Sequence, residues 1–141
     1  MTARGKARKR ALDILYAAEL RGVSPIVVLG EKPLAEGSAQ SQPTPNPYVA
    51  TLVEGVVAHQ GRIDELLATY SSGWALDRMP AVDRNILRIG VFELLWCDDV
   101  PDAVVIDEAV NRARELSTDE SPAFVNGVLA RILDLRPRLA V

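Results

Sequence analysis

Apolar residues recur at helical spacing along most of the chain. The first run starts at Leu12 and stops near Gly22, and a short apolar run follows Ser24-Pro25. Residues three and four positions apart share one face of a helix, so this spacing predicts amphipathic helices. A capping residue followed by proline is typical of a helix start, which supports a second, short helix after Ser24.

Residues 30–47 interrupt this pattern. They are rich in Pro, Gly, Ser and Gln, and we predict a long loop there. Helical spacing resumes after Asn46-Pro47 and continues to about Tyr70, with a break allowed at Gly61 beside His59.

Three more helices are predicted after the break at residues 71–73. Prolines mark their starts, at Pro80, Pro101 and Ser121-Pro122. The apolar positions of segment 80–96 spread around much of the helix circumference, which predicts that this helix is central and the most buried.

The whole pattern predicts an all-α protein of six or seven helices with no strand. A length of 141 residues suits one domain, with an N-terminal half at residues 1–70 and a C-terminal half at residues 71–141. No apolar run is long enough to span a membrane. The single cysteine, Cys97, cannot form an internal disulfide, so we expect a cytoplasmic protein.

Positive charge is concentrated at the start of the chain. The basic residues among the first ten, here called the cationic tip, are Arg4, Lys6, Arg8, Lys9 and Arg10. The rest of the chain carries 11 Lys and Arg against all 19 Asp and Glu. On a helix these five side chains point all round the axis, so docking any face on an apolar core would bury charge. We therefore expect the tip to extend past the core and bind phosphates, the alternative being a frayed, solvated terminus.

The composition argues against catalysis. One histidine and one cysteine cannot build a His/Cys zinc cluster, and neither of the common glycine-rich nucleotide-binding motifs occurs. We expect no cofactor, no metal and no enzymatic activity. Most of the seven aromatic residues are in phase with core positions. Tyr70 is the exception, because it adjoins the break and can reach solvent to stack on an unpaired base.

Several segments carry a family resemblance. They are Asp83-Arg84-Asn85-Ile86-Leu87-Arg88, Ile106-Asp107-Glu108-Ala109-Val110 and Phe124-Val125-Asn126-Gly127-Val128-Leu129. Together with Ala7-Arg8 and Leu15-Tyr16 upstream, they resemble the NusB family of transcription antitermination factors. The resemblance covers the chain outside residues 30–47 and implies two packed helical halves and a non-enzymatic function.

The resemblance also implies partners. NusB proteins bind the single-stranded boxA element of ribosomal RNA transcripts with the ribosomal protein NusE, and so assist RNA polymerase. The implied RNA contacts are Arg4, Lys6, Arg8, Lys9, Arg10, Tyr70, Phe124 and Asn126. The implied NusE-facing residues are Tyr16, Leu20 and Asp83. Gly5 stands where the family pattern has a basic side chain.

Two alternatives belong to different functional classes. One is a helical adaptor that binds only protein. The other is a stand-alone relative of the NusB-like RNA-binding region of rRNA cytosine methyltransferases. The stripe of Tyr16 and Leu20 is compatible with core packing, with a partner site or with a homodimer interface, and the sequence does not decide among them.

Overall fold

Six α-helices form the regular structure of the described residues, 2–31, 46–71 and 74–139, in this computed structural model. The helices are α1 (Ala3–Arg21), α2 (Pro25–Leu29), α3 (Pro47–Tyr70), α4 (Ala81–Trp96), α5 (Asp102–Leu116) and α6 (Ser121–Leu135). Short 3-10 turns occupy Leu76–Arg78 and Arg136–Arg138, and these ranges contain no strand. The all-α prediction is confirmed. Most of the predicted loop at 30–47, and residues 72 and 73 of the predicted break, lie outside the described residues.

Side-chain caps fix the helix ends in the first half of the chain. The Thr2 hydroxyl accepts a hydrogen bond from the Gly5 N–H at 2.9 Å and starts α1. Gly22 ends α1 with φ of 68°, a conformation that costs glycine little. Ser24 and Asn46 accept from the N–H groups two residues on, so both predicted cap-and-proline starts are confirmed.

The predicted break at Gly61 is wrong. Helix α3 is continuous from Pro47 to Tyr70, and the buried residues Leu52, Val56, Ile63 and Leu67 remain on one stripe across the glycine. His59, beside the expected break, therefore lies inside the helix. Its ring stacks on Trp96 with a centroid distance of 4.0 Å.

Helix α4 lies at the centre, as its apolar pattern predicted. It packs against α1, α3, α5 and α6. Ion pairs show that α1 and α4 are antiparallel. Arg8 near the start of α1 pairs with Glu93 near the end of α4. Glu19 near the end of α1 pairs with Arg84 and Arg88 in the first half of α4. The charges are reversed between the two places, which disfavours a parallel or shifted packing.

Candidate nucleic-acid interface

The cationic tip does not extend past the core. Thr2 caps α1 immediately before the tip, and Gly5, Ala7 and Arg8 are buried against the rest of the protein. The sequence argument assumed that every tip charge needs solvent. It is wrong because small side chains let the helix approach closely and because the inward arginine meets one buried carboxylate, Glu93, and one partly buried carboxylate, Glu108.

Arg8 forms the centre of a buried ion-pair cluster. Its Nε donates to both carboxylate oxygens of Glu93 at 3.0 Å, and its Nη1 donates to Glu108 Oε1 at 3.2 Å. The Tyr48 hydroxyl completes the site by donating to Glu93 Oε2 at 2.6 Å. Here this set of Arg8, Tyr48, Glu93 and Glu108 is called the buried cluster.

The electrostatics of the buried cluster keep Arg8 charged. Burial would lower the pKa of its guanidinium, but the hydrogen bonds to Glu93 and the charges of Glu93 and Glu108 raise that pKa above its ordinary value. The Arg8 side chain is 5% exposed. The prediction of Arg8 as a surface phosphate donor is therefore corrected: in this structure it fixes α1 on α4 and α5.

The other four tip cations remain accessible in different degrees. Arg4 Nη2 lies 2.8 Å from Asp99 Oδ2, and Lys9 Nζ lies 2.8 Å from Asp13 Oδ1 one turn along the helix. Within the described ranges, Lys6 and Arg10 have neither a hydrogen-bond nor an ion-pair partner for their side chains, and both are exposed. These two side chains need break no existing contact to meet a phosphate.

The remaining predicted RNA residues form a second group. Phe124 packs edge-on against Trp74 with a centroid distance of 4.9 Å, and the Arg131 guanidinium lies 5.8 Å from the Tyr70 ring centroid. Asn126 is exposed on α6. Tyr70 and Phe124 are half-buried, so core packing covers part of each ring and leaves the rest accessible to solvent.

Arg4 of the first group and Tyr70 of the second lie at opposite ends of α3. Arg4 lies over the ring of Tyr48 at the start of α3, whereas Tyr70 is the last residue of that helix. At a rise of 1.5 Å per residue, the 22 residues from Tyr48 to Tyr70 span about 33 Å. The structure therefore does not bring the predicted RNA contacts into one pocket, and one RNA contacting both groups has to run along the protein surface.

The stripe of Tyr16 and Leu20 is exposed and not part of the core. The two residues are 36% and 68% exposed. Val23, Ile26 and Val27 are exposed close by in the chain, and these five residues are here called the apolar patch. Contiguous exposed apolar residues mark interaction surfaces more often than isolated ones do. The sequence analysis assigned no role to the last three, because it identified residues 26–29 only as a short apolar helix and did not consider which of its residues reach solvent.

Asp83 does not face a partner. It is 0% exposed, and its Oδ2 accepts a hydrogen bond from the Ser121 hydroxyl at 2.7 Å. Its position in the first turn of α4 favours a carboxylate, because the helix N-terminus is partly positive. The placement of Asp83 on the NusE side is thus corrected: it joins the starts of α4 and α6.

Glu93, Tyr48 and Asp99 were not identified from the sequence. For Glu93 a signal existed, because an acidic residue inside the helix predicted to be most buried requires a cationic partner. Within residues 2–31, 46–71 and 74–139 there is no group of three or more His, Cys, Asp or Glu that could hold a metal ion. In the same parts of the chain, no helix combines the length and apolarity needed to cross a membrane.

Comparison with known proteins decides the family. The model of the NusB family matches residues 5–134. The chain belongs to the NusB family. It is 61% identical over 140 residues to a transcription antitermination protein NusB from a Nocardioides species, with 99% of this chain and 100% of that protein covered. The corresponding protein of Kineococcus radiotolerans is 57% identical, with 99% of each chain covered.

A solved structure agrees with this assignment. In the crystal structure of the antitermination factors NusB and NusE in complex with dsRNA, a chain superposes with a TM-score of 0.79. The two chains are 28% identical, and the match covers 95% of this chain and 98% of that one. The resemblance seen in the sequence is confirmed, and this NusB family member is a transcription antitermination factor and not an enzyme.

Proposed function

We propose that this chain binds boxA-like single-stranded RNA together with the ribosomal protein NusE, and acts in the cytoplasm on the RNA polymerase elongation complex. The observation that carries the proposal is the composition of the α1 surface. Its N-terminal part presents cations without partners among the described residues, Lys6 and Arg10. Its C-terminal part presents Tyr16 and Leu20, the two residues of the apolar patch that lie on α1. One helix thus offers an electrostatic surface and a hydrophobic one, as a factor that joins RNA to a protein requires.

RNA contacts are assigned to the exposed cations of the tip. Lys6 and Arg10 supply phosphate donors directly, whereas Arg4 and Lys9 must first give up Asp99 and Asp13. Arg8 holds the helix in place. Phosphate contacts carry little sequence information, so base selection is assigned to the second group, where Tyr70, Phe124 and Asn126 offer aromatic edges and an amide.

NusE is assigned to the apolar patch. Leu20 is the most exposed large apolar residue in the described chain, and an exposed aromatic such as Tyr16 is a frequent energetic centre of an interface once a partner covers it. The same patch can join two copies of this chain when NusE is absent, because a two-fold interface uses one surface twice.

The proposal is tested by titrating the pure protein with a boxA-like RNA and a scrambled RNA of equal length, with and without NusE. We expect NusE to tighten boxA binding more than scrambled binding. Lys6→Ala and Arg10→Ala should each weaken both RNAs and make the slope of log K against log salt shallower by roughly 0.7. Lys9→Ala is the matched control, with a smaller effect because Asp13 already neutralises Lys9.

Each alternative gives a different result in this titration. NusE binding with no RNA binding at any salt concentration would support the protein-only adaptor. Equal affinity for boxA and scrambled RNA, unchanged by NusE, would remove the boxA assignment. A boxA duplex as competitor tests the strand preference, and we expect it to compete less well than the single strand because paired bases cannot stack on Tyr70.

A further inference from the structure

The loop between α4 and α5 places a carboxylate beside the cationic tip. The Val100 N–H donates to the Cys97 carbonyl at 3.3 Å and closes a turn with Asp98 and Asp99 at its centre. Val100 is buried, so the end of the turn is fixed by the core, while Asp99 remains 66% exposed. Asp99 is thus held at a defined place and still open to solvent.

Arg4 is the cation that Asp99 meets. Its guanidinium lies 2.8 Å from Asp99 Oδ2 and 4.3 Å from the centroid of the Tyr48 ring. The hydrogen bond to Asp99 raises the pKa of Arg4, and in return it holds the pKa of Asp99 below its usual range. Tyr48 is itself fixed by its hydrogen bond to the buried Glu93. Arg4 therefore has a preset orientation, with one face on an aromatic ring and its Nη2 donor directed at a carboxylate.

We propose that Asp99 occupies the position of an RNA phosphate on Arg4 in the free protein and lowers RNA affinity by competing for that guanidinium. The inference rests on the proposed RNA-binding function and adds a regulatory residue to the same site. Carboxylate and phosphate both accept charge-assisted hydrogen bonds from a guanidinium, so a phosphate can replace Asp99 while Arg4 keeps its contact with Tyr48. An RNA that brings several phosphates to the cationic tip at once displaces the single carboxylate of Asp99. An RNA that makes few phosphate contacts does not displace it.

The surroundings of Arg4 distinguish it from the rest of the tip. Lys9 pairs with Asp13 inside the same helix, at 2.8 Å and with i,i+4 spacing, which is a common stabilising pair of helix surfaces. The partner of Arg4 comes instead from 95 residues away, through a separate loop. Stabilising α1 locally therefore does not account for the position of Asp99.

The chain provides a matched control next to Asp99. Asp98 occupies the same turn and is exposed, and in the described chain it forms no ion pair with Arg4. Asp98→Asn and Asp99→Asn remove the same charge, and asparagine is as acceptable as aspartate in a turn. We expect Asp99→Asn to tighten boxA RNA binding about two- to fivefold, the range expected from removing one exposed ion pair. Asp98→Asn should change the affinity by less than half of that factor.

An Arg4→Ala background separates competition from general charge. In that background Asp99→Asn should give no more gain than Asp98→Asn, because no guanidinium remains to be released. Equal gains from both asparagine variants in the wild-type background would overturn the inference, and so would an undiminished gain from Asp99→Asn in the Arg4→Ala background. Circular dichroism of each variant checks that the fold is kept. Absence of RNA binding by the wild-type protein is a separate result, which rejects the proposed function itself.

Discussion

The two halves of α1 depart from the usual distribution of residues in opposite ways. The N-terminal half buries a guanidinium, Arg8, inside the buried cluster. The C-terminal half leaves Tyr16 and Leu20 in solvent and is tied to α4 by Glu19, which pairs with Arg84 and Arg88 and stays partly exposed. A buried charge and an exposed apolar patch are the informative exceptions in a folded protein. Here the first holds α1 against α4 and α5, and the second is open to solvent.

The difference shows that charge alone does not identify a binding residue. Arg8 lies among four other cations in the sequence, yet it is the one whose side chain has no access to a ligand. Its neighbours Lys6 and Arg10 carry the same charge on the opposite side of the helix and are open to solvent. The carboxylates that hold Arg8 inside, Glu93 of α4 and Glu108 of α5, lie far away in the chain.

The largest expected effect is a loss of unfolding free energy when the buried guanidinium of Arg8 is removed. Arg8→Met leaves Glu93 buried without its cation, and breaking a buried pair in this way costs about 3–5 kcal/mol. Urea unfolding followed by circular dichroism measures the change. Lys6→Met is the matched control on the exposed side of the same helix, and it should change the free energy of unfolding by less than about 0.5 kcal/mol.

A second variant tests the cause of that loss. In Arg8→Met combined with Glu93→Gln, the buried negative charge is gone and the glutamine oxygen can still accept from Tyr48. Part of the lost stability should return. If Arg8→Met is as mild as Lys6→Met, the buried cluster does not stabilise the fold.

The next largest effect concerns the C-terminal half of α1 and its partner. Tyr16→Asp and Leu20→Asp should each reduce NusE affinity about 30-fold or more, equivalent to about 2 kcal/mol at a central interface position. Because both side chains are exposed, helix content should be preserved at room temperature. Calorimetric titration with NusE gives the affinity, and circular dichroism gives the helix content.

Val104→Asp is the matched control for these two variants. Val104 is apolar, 41% exposed and helical, but it lies in α5, outside the apolar patch. It should leave NusE binding unchanged. Equal losses of NusE affinity in all three variants would mean that any new surface charge weakens the complex. Unfolding of Tyr16→Asp would show that Tyr16 packs in the core and does not face the partner.

The fold was predictable because helix period and helix starts are local properties of the sequence. Neighbouring residues alone predict that helices start after Ser24 and Asn46. They also predict that α4 is the central helix. The site was predictable only in part. The partners of Arg4 and Arg8 lie 85 to 100 residues away in the chain, and no local pattern pairs them. The same is true of Asp83, whose hydrogen-bond partner Ser121 belongs to another helix.

The smallest expected effect on stability comes from the partly exposed ion pairs of Glu19, in contrast to the buried pair of Arg8 and Glu93. Burial would raise the pKa of Glu19, but the hydrogen bond from Arg84 and the charges of Arg84 and Arg88 lower it below the ordinary value of 4.5. A carboxyl whose pKa is lowered by folding stabilises the protein above the unfolded pKa, and this contribution is lost as the pH falls through the folded value. Glu19→Gln should therefore cost less than about 1 kcal/mol at pH 7, since solvent screens the pair.

The pH dependence of that variant is the decisive measurement. The difference in unfolding free energy between wild type and Glu19→Gln should be constant from pH 7 down to about the ordinary glutamate pKa, and it should shrink at lower pH. Glu54→Gln, an exposed glutamate on α3 without an ion-pair partner in the described chain, controls for loss of a surface charge and should show no such trend. A Glu19→Gln difference that persists unchanged at low pH would show that packing of the side chain, and not its charge, ties this half of α1 to α4.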